Sequence, residues 1–216
     1  MNKYELAKKI TQLDGLTNEE KASLVELLRS QKKYGLVWED KPEEIETRLV
    51  DELPVLTEVP ERAIVSDSPD APNHILIEGD NLEALTALAY THEGKIDVIY
   101  IDPPYNTGNK DFVYNDSFVD KEDGYRHSKW LSFMNKRLQI AKSLLASGGV
   151  IFISIGSDEL VQLTLLCNEI FCEQNQLAII PRVQKKGNGK GTHFSPSVDY
   201  VLVYCNSKSD VSRFFS

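Results

Sequence analysis

The sequence predicts an α/β fold in which a mostly parallel sheet with an antiparallel edge follows a small helical arm. From residue 74 onward, strand and helix patterns alternate, as in sheets whose two faces are covered by helices. The apolar runs 96–101 and 150–155 have the length and β-branched content of buried strands. Residues 177–183 and 200–205 are two further strand patterns, and we expect them to pair antiparallel at one sheet edge.

The helical arm is predicted over residues 1–38. Leu6, Ile10 and Leu13 mark one face of a first helix, and Thr17 with Glu20 forms a capping-box pattern that opens a second helix. The pattern is compatible with a dimerisation arm and equally with a helix pair packed on the parent domain.

Residues 39–73 are expected to form a linker or an extended segment that wraps the surface. They contain many acidic residues and five prolines, and only residues 42–50 have a helical pattern.

The third region, residues 74–216, is expected to be the catalytic domain. Strands are expected at 74–78, 95–101 (central in the sheet) and 150–155, and helices at 81–90, 130–146 and 158–171. The helix over 130–146 is expected to bury one face, which consists of Trp130, Met134, Leu138, Ala141 and Leu145.

Four candidate catalytic residues, Asp102, Pro103, Pro104 and Tyr105, follow the expected central strand; we call them the clip. Functional groups of α/β proteins gather at the carboxyl ends of strands. The Asp102 carboxylate and the Pro103 carbonyl can accept the two hydrogens of an exocyclic amine, while Tyr105 stacks on the base that carries it. Such a base must first leave its duplex. The alternative is that the prolines merely end a strand and Tyr105 packs in the core.

Two runs carry a family resemblance: LIEGDNLEAL at 76–85 and IYIDPPYNTGNKDFVYNDSF at 99–118. They resemble amino-directed DNA methyltransferases of the permuted β class, in particular the modification subunits of type III restriction-modification systems. The resemblance implies a partial Rossmann-like methyltransferase sheet, S-adenosylmethionine as cofactor and adenine N6 in double-stranded DNA as the methyl acceptor. It also implies that the clip binds the flipped adenine.

The resemblance places Asp80 beside the cofactor pocket, and we expect Asp102 and Asn106 to be the other cofactor contacts. For Asp80 a purely structural role as a helix cap is an equal alternative, because it precedes a helix pattern with Glu83 three positions on.

One departure from the family is a missing glycine motif. Permuted enzymes of this class carry a Phe-x-Gly-x-Gly cofactor loop after the catalytic segment and a target-recognition domain, and the twelve glycines here form no such loop. We therefore expect the chain to be the amino-terminal portion of a longer enzyme, with the cofactor loop and target-recognition domain missing.

Residues 106–123 are predicted to be a mobile cover for the active site, because connections this long usually serve a function or are disordered. Phe112, Tyr114 and Phe118 are the aromatic residues expected to close over an extruded base. Plain disorder is the alternative.

The segment 182–191 has four cations, three glycines and no acid, which favours phosphate contact. Lys185, Lys186 and Lys190 are the candidate DNA contacts, with a solvated hairpin tip as the alternative. Phe194 is a candidate for stacking on the target base, and a buried loop residue is equally compatible.

The net charge, the cysteine spacing and the lack of a long apolar run limit the functions that the chain can have. A net charge of −9 and a pI near 5.0 mean that any DNA contact is local or lies outside this sequence. Cys167, Cys172 and Cys205 have neither disulfide nor zinc spacing, so we expect buried thiols and no methylation at ring carbon, which needs a cysteine nucleophile. No apolar run approaches the roughly 20 residues that span a bilayer, and we expect a cytoplasmic protein.

Several functions stay open at this stage. The clip also suits cytosine N4, an RNA base or a protein amide, and the chain can equally be a non-catalytic dimerisation or regulatory fragment. A homodimer and a restriction subunit are the possible protein partners.

Overall fold

The structure is a computed structural model, and it describes residues 9–29, 35–64, 68, 70–183 and 197–212. The chain divides into two compact units, residues 1–35 and 36–216. The domain boundaries at 38 and 73 stay a prediction.

The first unit contains helix α1, Asn18–Arg29. Its capping box is confirmed, because the Thr17 amide donates to Glu20 Oε2 at 2.7 Å and the Glu20 amide donates to Thr17 Oγ1 at 3.2 Å. Of the predicted first helix, residues 9–11 are helical, and Leu6 lies outside the described residues.

The second unit contains the alternating elements. In chain order they are α2 Glu44–Asp51, α3 Asn81–His92, β1 Ile96–Ile101, β2 Val113–Tyr114, β3 Ser117–Phe118, α4 Arg126–Leu144, β4 Leu145–Ile155, α5 Leu160–Cys167, β5 Gln176–Val183 and β6 Val198–Cys205. A 3-10 turn spans Pro60–Arg62, and a π turn, Asn168–Cys172, and a 3-10 turn, Glu173–Asn175, connect α5 to β5.

The main sheet has the strand order β1-β4-β6-β5, and β2 with β3 forms a separate small hairpin. Strands β1 and β4 are parallel, whereas β6 is antiparallel to both β4 and β5. The α/β class and the antiparallel edge are thus confirmed. This topology brings the carboxyl ends of β1, β4 and β5 and the start of β6 to one edge of the sheet.

Two strand predictions were wrong. Residues 74–78 form no strand, and Ile75 and Leu76 are 68% and 95% exposed. Strand β1 is an edge strand of the described sheet rather than a central one, and Val98 is 62% exposed. Both corrections have one cause. A strand needs neighbours to pair with, and the described residues supply none on the outer side of β1 or beside residues 74–78.

Helix α4 lies at the centre of the core. The predicted face is confirmed, since Trp130, Met134, Leu138 and Ala141 are buried; Leu145, also buried, begins β4 instead of ending the helix. These side chains pack on β4 and α5, whose own buried residues include Ile151, Ile153, Leu163 and Leu166.

The start of the predicted linker packs on α4. Glu43 and Arg137 form an almost fully buried ion pair with an Oε2 to Nη1 distance of 2.5 Å. Ser132 Oγ accepts hydrogen bonds from the Trp38 indole at 3.2 Å and from the Lys41 amide at 2.9 Å. The residues just before α2 are therefore part of the packed unit.

Among the described residues no helix is long and apolar enough to cross a bilayer. Cys167 and Cys205 are buried as expected, whereas Cys172, which adopts a positive φ of 72° at the end of the π turn, is exposed.

Candidate active site at the end of strand β1

The clip begins where β1 ends. Ile101, the last residue of β1, is in register with Ile153 of β4, so the clip continues past β1 beside the end of β4. Asp102 is exposed and Tyr105 is partly buried. The carboxylate is therefore accessible from solvent, while one part of the tyrosine ring contacts the protein.

Tyr105 lies against the end of β4. A Cβ added to Gly156 would be 3.0 Å from Tyr105 Cδ2, so only a residue without a side chain leaves the ring its present room. Burial raises the pKa of the Tyr105 phenol, and the negative charges of Asp102 and Asp199 raise it further, while Arg182 lowers it. The phenol thus stays protonated at neutral pH, next to the Asp102 carboxylate.

Helix α4 holds Pro104 through a hydrogen bond. The Trp130 indole donates to the Pro104 carbonyl at 2.7 Å, and Trp130 is fully buried. The sequence predicted Trp130 as a core residue, and the structure adds this polar contact. The double proline and the indole together leave the clip backbone little freedom.

Asn106, the residue after the clip, is fully buried. Its Nδ2 donates to Glu159 Oε1 at 2.5 Å and to the Arg126 carbonyl at 3.3 Å, and its backbone has a φ of 55°. The side chain therefore holds the turn after Tyr105 from inside. The cofactor contact expected at Asn106 stays a prediction.

An ion pair lies at the same sheet edge. Arg182, near the end of β5, donates to Asp199 Oδ2 of β6 at 2.9 Å, and both charges affect the Tyr105 phenol. Strand β5 ends at Val183 and β6 begins at Val198, both at the sheet edge that carries the clip. Lys185, Lys186, Lys190 and Phe194 lie outside the described residues, and their DNA contacts stay predictions.

Asp80 is the N-cap of α3. Its Oδ1 accepts from the Leu82 amide at 2.7 Å and from the Glu83 amide at 3.4 Å, which is the structural role weighed above. The adjacent Asn81 side chain contacts Arg137, which lies seven residues, or about 10 Å, along α4 from Trp130. Asp80 and the clip therefore lie beside different turns of α4. A cofactor contact at Asp80 stays a prediction.

The predicted aromatic cover is wrong for two of its three residues. Phe112 and Tyr114 are 1% and 6% exposed in the core, and the Phe112 ring packs edge-on against Phe133 at a centroid distance of 5.3 Å. The Tyr114 hydroxyl donates to the Lys41 carbonyl. Residues 106–125 contain the β2–β3 hairpin, and of the three predicted aromatic residues Phe118, 57% exposed, is the one available to a ligand.

Sequence reasoning missed Glu159 and Gly156 at this site. Gly156 and Glu159 follow the strand at 150–155, and carboxyl ends of neighbouring parallel strands meet at one edge, so this rule would have pointed to both. Residues 197–200 resemble part of the family's target-base pocket, but the place of Asp199 beside Tyr105 depends on the pairing of β6 with β4 and β5.

Known proteins similar to this chain include Mod subunits of type III restriction-modification enzymes and a type II methyltransferase. Residues 96–213 match the family described as DNA methylase. The EcoPI Mod subunit, a type III restriction-modification enzyme of Escherichia phage P1, is 37% identical over 214 residues, which cover 87% of this chain and 32% of the relative. The type II methyltransferase M.KpnI of Klebsiella pneumoniae is 38% identical over 147 residues, covering 67% of this chain and 34% of the relative.

A third relative gives the same proportions. The EcoP15I Mod subunit, a type III restriction-modification enzyme of Escherichia coli, is 35% identical over 216 residues, covering 88% of this chain and 33% of the relative. The chain thus spans about a third of the length of these curated relatives. Since the family match extends over more than half of the chain and includes the clip, the chain belongs to the DNA methylase family.

Proposed function

We propose that this chain supplies the base-binding and catalytic part of a site-specific DNA methyltransferase that transfers a methyl group from S-adenosylmethionine to N6 of an extruded adenine. The observation that carries the proposal is the exposed Asp102 carboxylate beside a tyrosine ring that Gly156 and a buried turn hold in place. An exposed acid next to a fixed aromatic ring suits a planar base with an exocyclic amine.

The roles within the clip follow from its contacts. Because Trp130 occupies the Pro104 carbonyl, we assign the Pro103 carbonyl to one amine hydrogen and Asp102 to the other. Both acceptors draw the nitrogen lone pair out of conjugation with the ring. The amine proton becomes acidic only as the nitrogen gains positive charge during attack on the methyl group. Asp102 therefore need not deprotonate the neutral amine before the attack. Tyr105 stacks on the base and fixes its plane.

The fit of the described residues to S-adenosylmethionine is partial. Gly79 has a φ of 152° and open space around it at the amino end of α3, which permits close approach of a ligand to the backbone. The Asp80 carboxylate, however, caps α3, and the Asn106 side chain points inward. S-adenosylmethionine supplies the electrophilic methyl group; of the described side chains we assign only Asp102 to face it.

A second candidate is a non-catalytic dimerisation or regulatory fragment of such an enzyme. The specific observation in its favour is the one-third coverage of the curated relatives, combined with the partial cofactor site. For the methyltransferase we propose double-stranded DNA as the substrate, a cytoplasmic location, and a second copy of the chain and a restriction subunit as protein partners.

The proposed function is tested with isotope-labelled S-adenosylmethionine and duplex DNA. We expect label in N6-methyladenine after digestion to nucleosides. Label in N4-methylcytosine would replace the proposed acceptor by cytosine. Transfer only to RNA or protein would refute the DNA substrate. If this chain alone is inactive and becomes active when the remaining two-thirds of an enzyme of this family is supplied in trans, the chain is the catalytic part of an incomplete enzyme. Inactivity in both cases supports the non-catalytic fragment.

A further inference from the structure

A buried polar cluster contacts Asn106, the residue that follows the clip. Glu159, at the amino end of α5, is fully buried, and its Oε1 accepts from Asn106 Nδ2 at 2.5 Å. The same oxygen is 2.6 Å from His127 Nδ1 in the first turn of α4. One carboxylate oxygen thus joins the turn after Tyr105, helix α4 and helix α5.

The cluster is costly to bury. Within the described residues, Glu159 Oε2, Asn106 Oδ1 and Arg126 Nη1 are buried without a hydrogen-bond partner. Burial raises the pKa of Glu159, and the Asn106 hydrogen bond and the charges of His127 and Arg126 lower it only in part. A leucine-like side chain at 159 would avoid this cost, so stability does not explain the carboxylate.

Geometry connects the cluster to Tyr105 twice. Asn106 is bonded to Tyr105 through the backbone and adopts a left-handed conformation, which asparagine enters more readily than most residues with a side chain. Glu159 holds that conformation through the Asn106 amide. Gly156, three residues before Glu159 in the same β4–α5 connection, contacts the Tyr105 ring itself. A shift of this connection would therefore move both the ring and the turn that carries it.

We propose that Glu159 is a positioning residue for the clip: through Asn106 and His127 it fixes the direction in which Tyr105 and Asp102 face the base. This inference rests on the proposed function, because the ligand that benefits is the extruded base. Glu159 touches no substrate. It acts on the clip through Asn106.

The test compares Glu159→Ala and Glu159→Gln with two controls, in the form of the protein that methylates DNA. Alanine removes the acceptor for Asn106, so we expect kcat to fall about 10- to 100-fold, the size of effect that a misplaced catalytic group produces, with DNA affinity little changed. Glutamine keeps an acceptor oxygen at the same distance and should restore most of kcat. Asp158→Ala, at the exposed neighbouring residue, should leave kcat unchanged.

Leu163→Ala is the control for a merely structural role, since Leu163 is fully buried one turn further along α5. We expect it to lower the melting temperature without lowering kcat. The proposal is overturned if kcat falls in Glu159→Ala and Leu163→Ala in proportion to their losses of stability, if glutamine fails to rescue, or if Glu159→Ala retains wild-type kcat.

A second readout needs no methyl transfer. The indole N–H of Trp130 donates to the Pro104 carbonyl of the clip. The chain has two tryptophans, so the spectrum of Trp38→Phe assigns the indole N–H resonance of Trp130. We expect Glu159→Ala to shift the Trp130 signal and Asp158→Ala to leave it in place. An unshifted Trp130 signal in Glu159→Ala would overturn the positioning role of Glu159 and would not affect the proposed function. Absence of methyl transfer in the wild-type enzyme refutes the proposed function while the NMR comparison still tests Glu159.

Discussion

The carboxyl end and the outer edge of strand β1 differ in how much of the chain packs around them. At the carboxyl end of β1 the clip contacts α4 through Trp130 and the β4–α5 connection through Gly156, and Asn106, the residue after the clip, contacts Glu159. Along its outer edge the strand has no neighbour among the described residues, and Val98 and Tyr100 are 62% and 65% exposed.

This difference teaches that the direction of the clip is determined by packing within this chain, whereas the outer edge of β1 contributes little to its stability. Groups that are already held in place need no reorganisation when a substrate arrives. Substitutions at and behind the clip should therefore have large effects, and substitutions on the outer edge small ones.

The largest effect is expected for Asp102→Ala. Removing an acceptor aimed at the reacting amine should lower kcat about 100- to 1000-fold, as loss of a preorganised polar group does in other enzymes. Binding to DNA, measured by fluorescence anisotropy, should change little because it depends on remote contacts. Asp97→Ala, an exposed carboxylate on the same strand, is the matched control and should retain activity. Wild-type turnover by Asp102→Ala would remove the clip from the reaction.

The next effect is expected for Trp130→Phe. The variant removes the hydrogen bond from the fully buried indole to the Pro104 carbonyl, which should cost about 1–3 kcal/mol in the free energy of unfolding measured with urea. Because the lost contact is to the clip, methyl transfer should fall as well.

Trp38→Phe separates these two consequences. The Trp38 indole donates to Ser132 Oγ at 3.2 Å, away from the clip, so this variant should lose stability and keep its kcat. Equal losses of kcat in the two tryptophan variants would mean that the indole of Trp130 has no special relation to the clip.

A pH-dependent effect is expected for Glu159→Gln. Burial raises the pKa of Glu159 above its ordinary value of 4.5, so the folded state holds the proton more tightly than the unfolded state. This contribution to stability is fully present below pH 4.5 and is lost as the pH rises through the raised pKa. Glutamine stays neutral, and the unfolding free energy of the variant relative to the wild type should rise across that window. A difference that is flat with pH would show that Glu159 is not buried as a titrating group.

A smaller effect is expected for Gly156→Ala. The added methyl group would be 3.0 Å from the Tyr105 ring, so the ring has to shift by a few tenths of an ångström. We expect weaker capture of the base, measured as a higher KM for DNA. Gly124→Ala is the matched control because a Cβ at that position meets nothing within 4 Å. If both alanines leave KM unchanged, contact with Gly156 does not orient Tyr105.

The sequence was sufficient for features that depend on local pattern. The capping box at Thr17, the buried face of α4 and the clip at the end of β1 all follow from spacing within a few residues. The contacts of Glu159 and Asp199 were not predictable in this way, because they join residues that only tertiary packing brings together. Phe112 and Tyr114 were misjudged because a polar, irregular stretch gives no sign that its aromatic residues enter a core built by α4.

The smallest effect is expected for Val98→Lys on the outer edge of β1. Because the side chain is exposed, the free energy of unfolding should change by no more than about 0.5 kcal/mol. Ile153→Ala on the neighbouring strand, where the side chain is fully buried, should cost about 2–5 kcal/mol in the same urea titration. A bare apolar edge also pairs readily with other chains, and a lysine there opposes such pairing. Sedimentation velocity should therefore show less self-association for Val98→Lys than for the wild type. A destabilisation comparable to that of Ile153→Ala would mean that the outer edge is packed in solution. The contrast between the carboxyl end and the outer edge of β1 would then disappear.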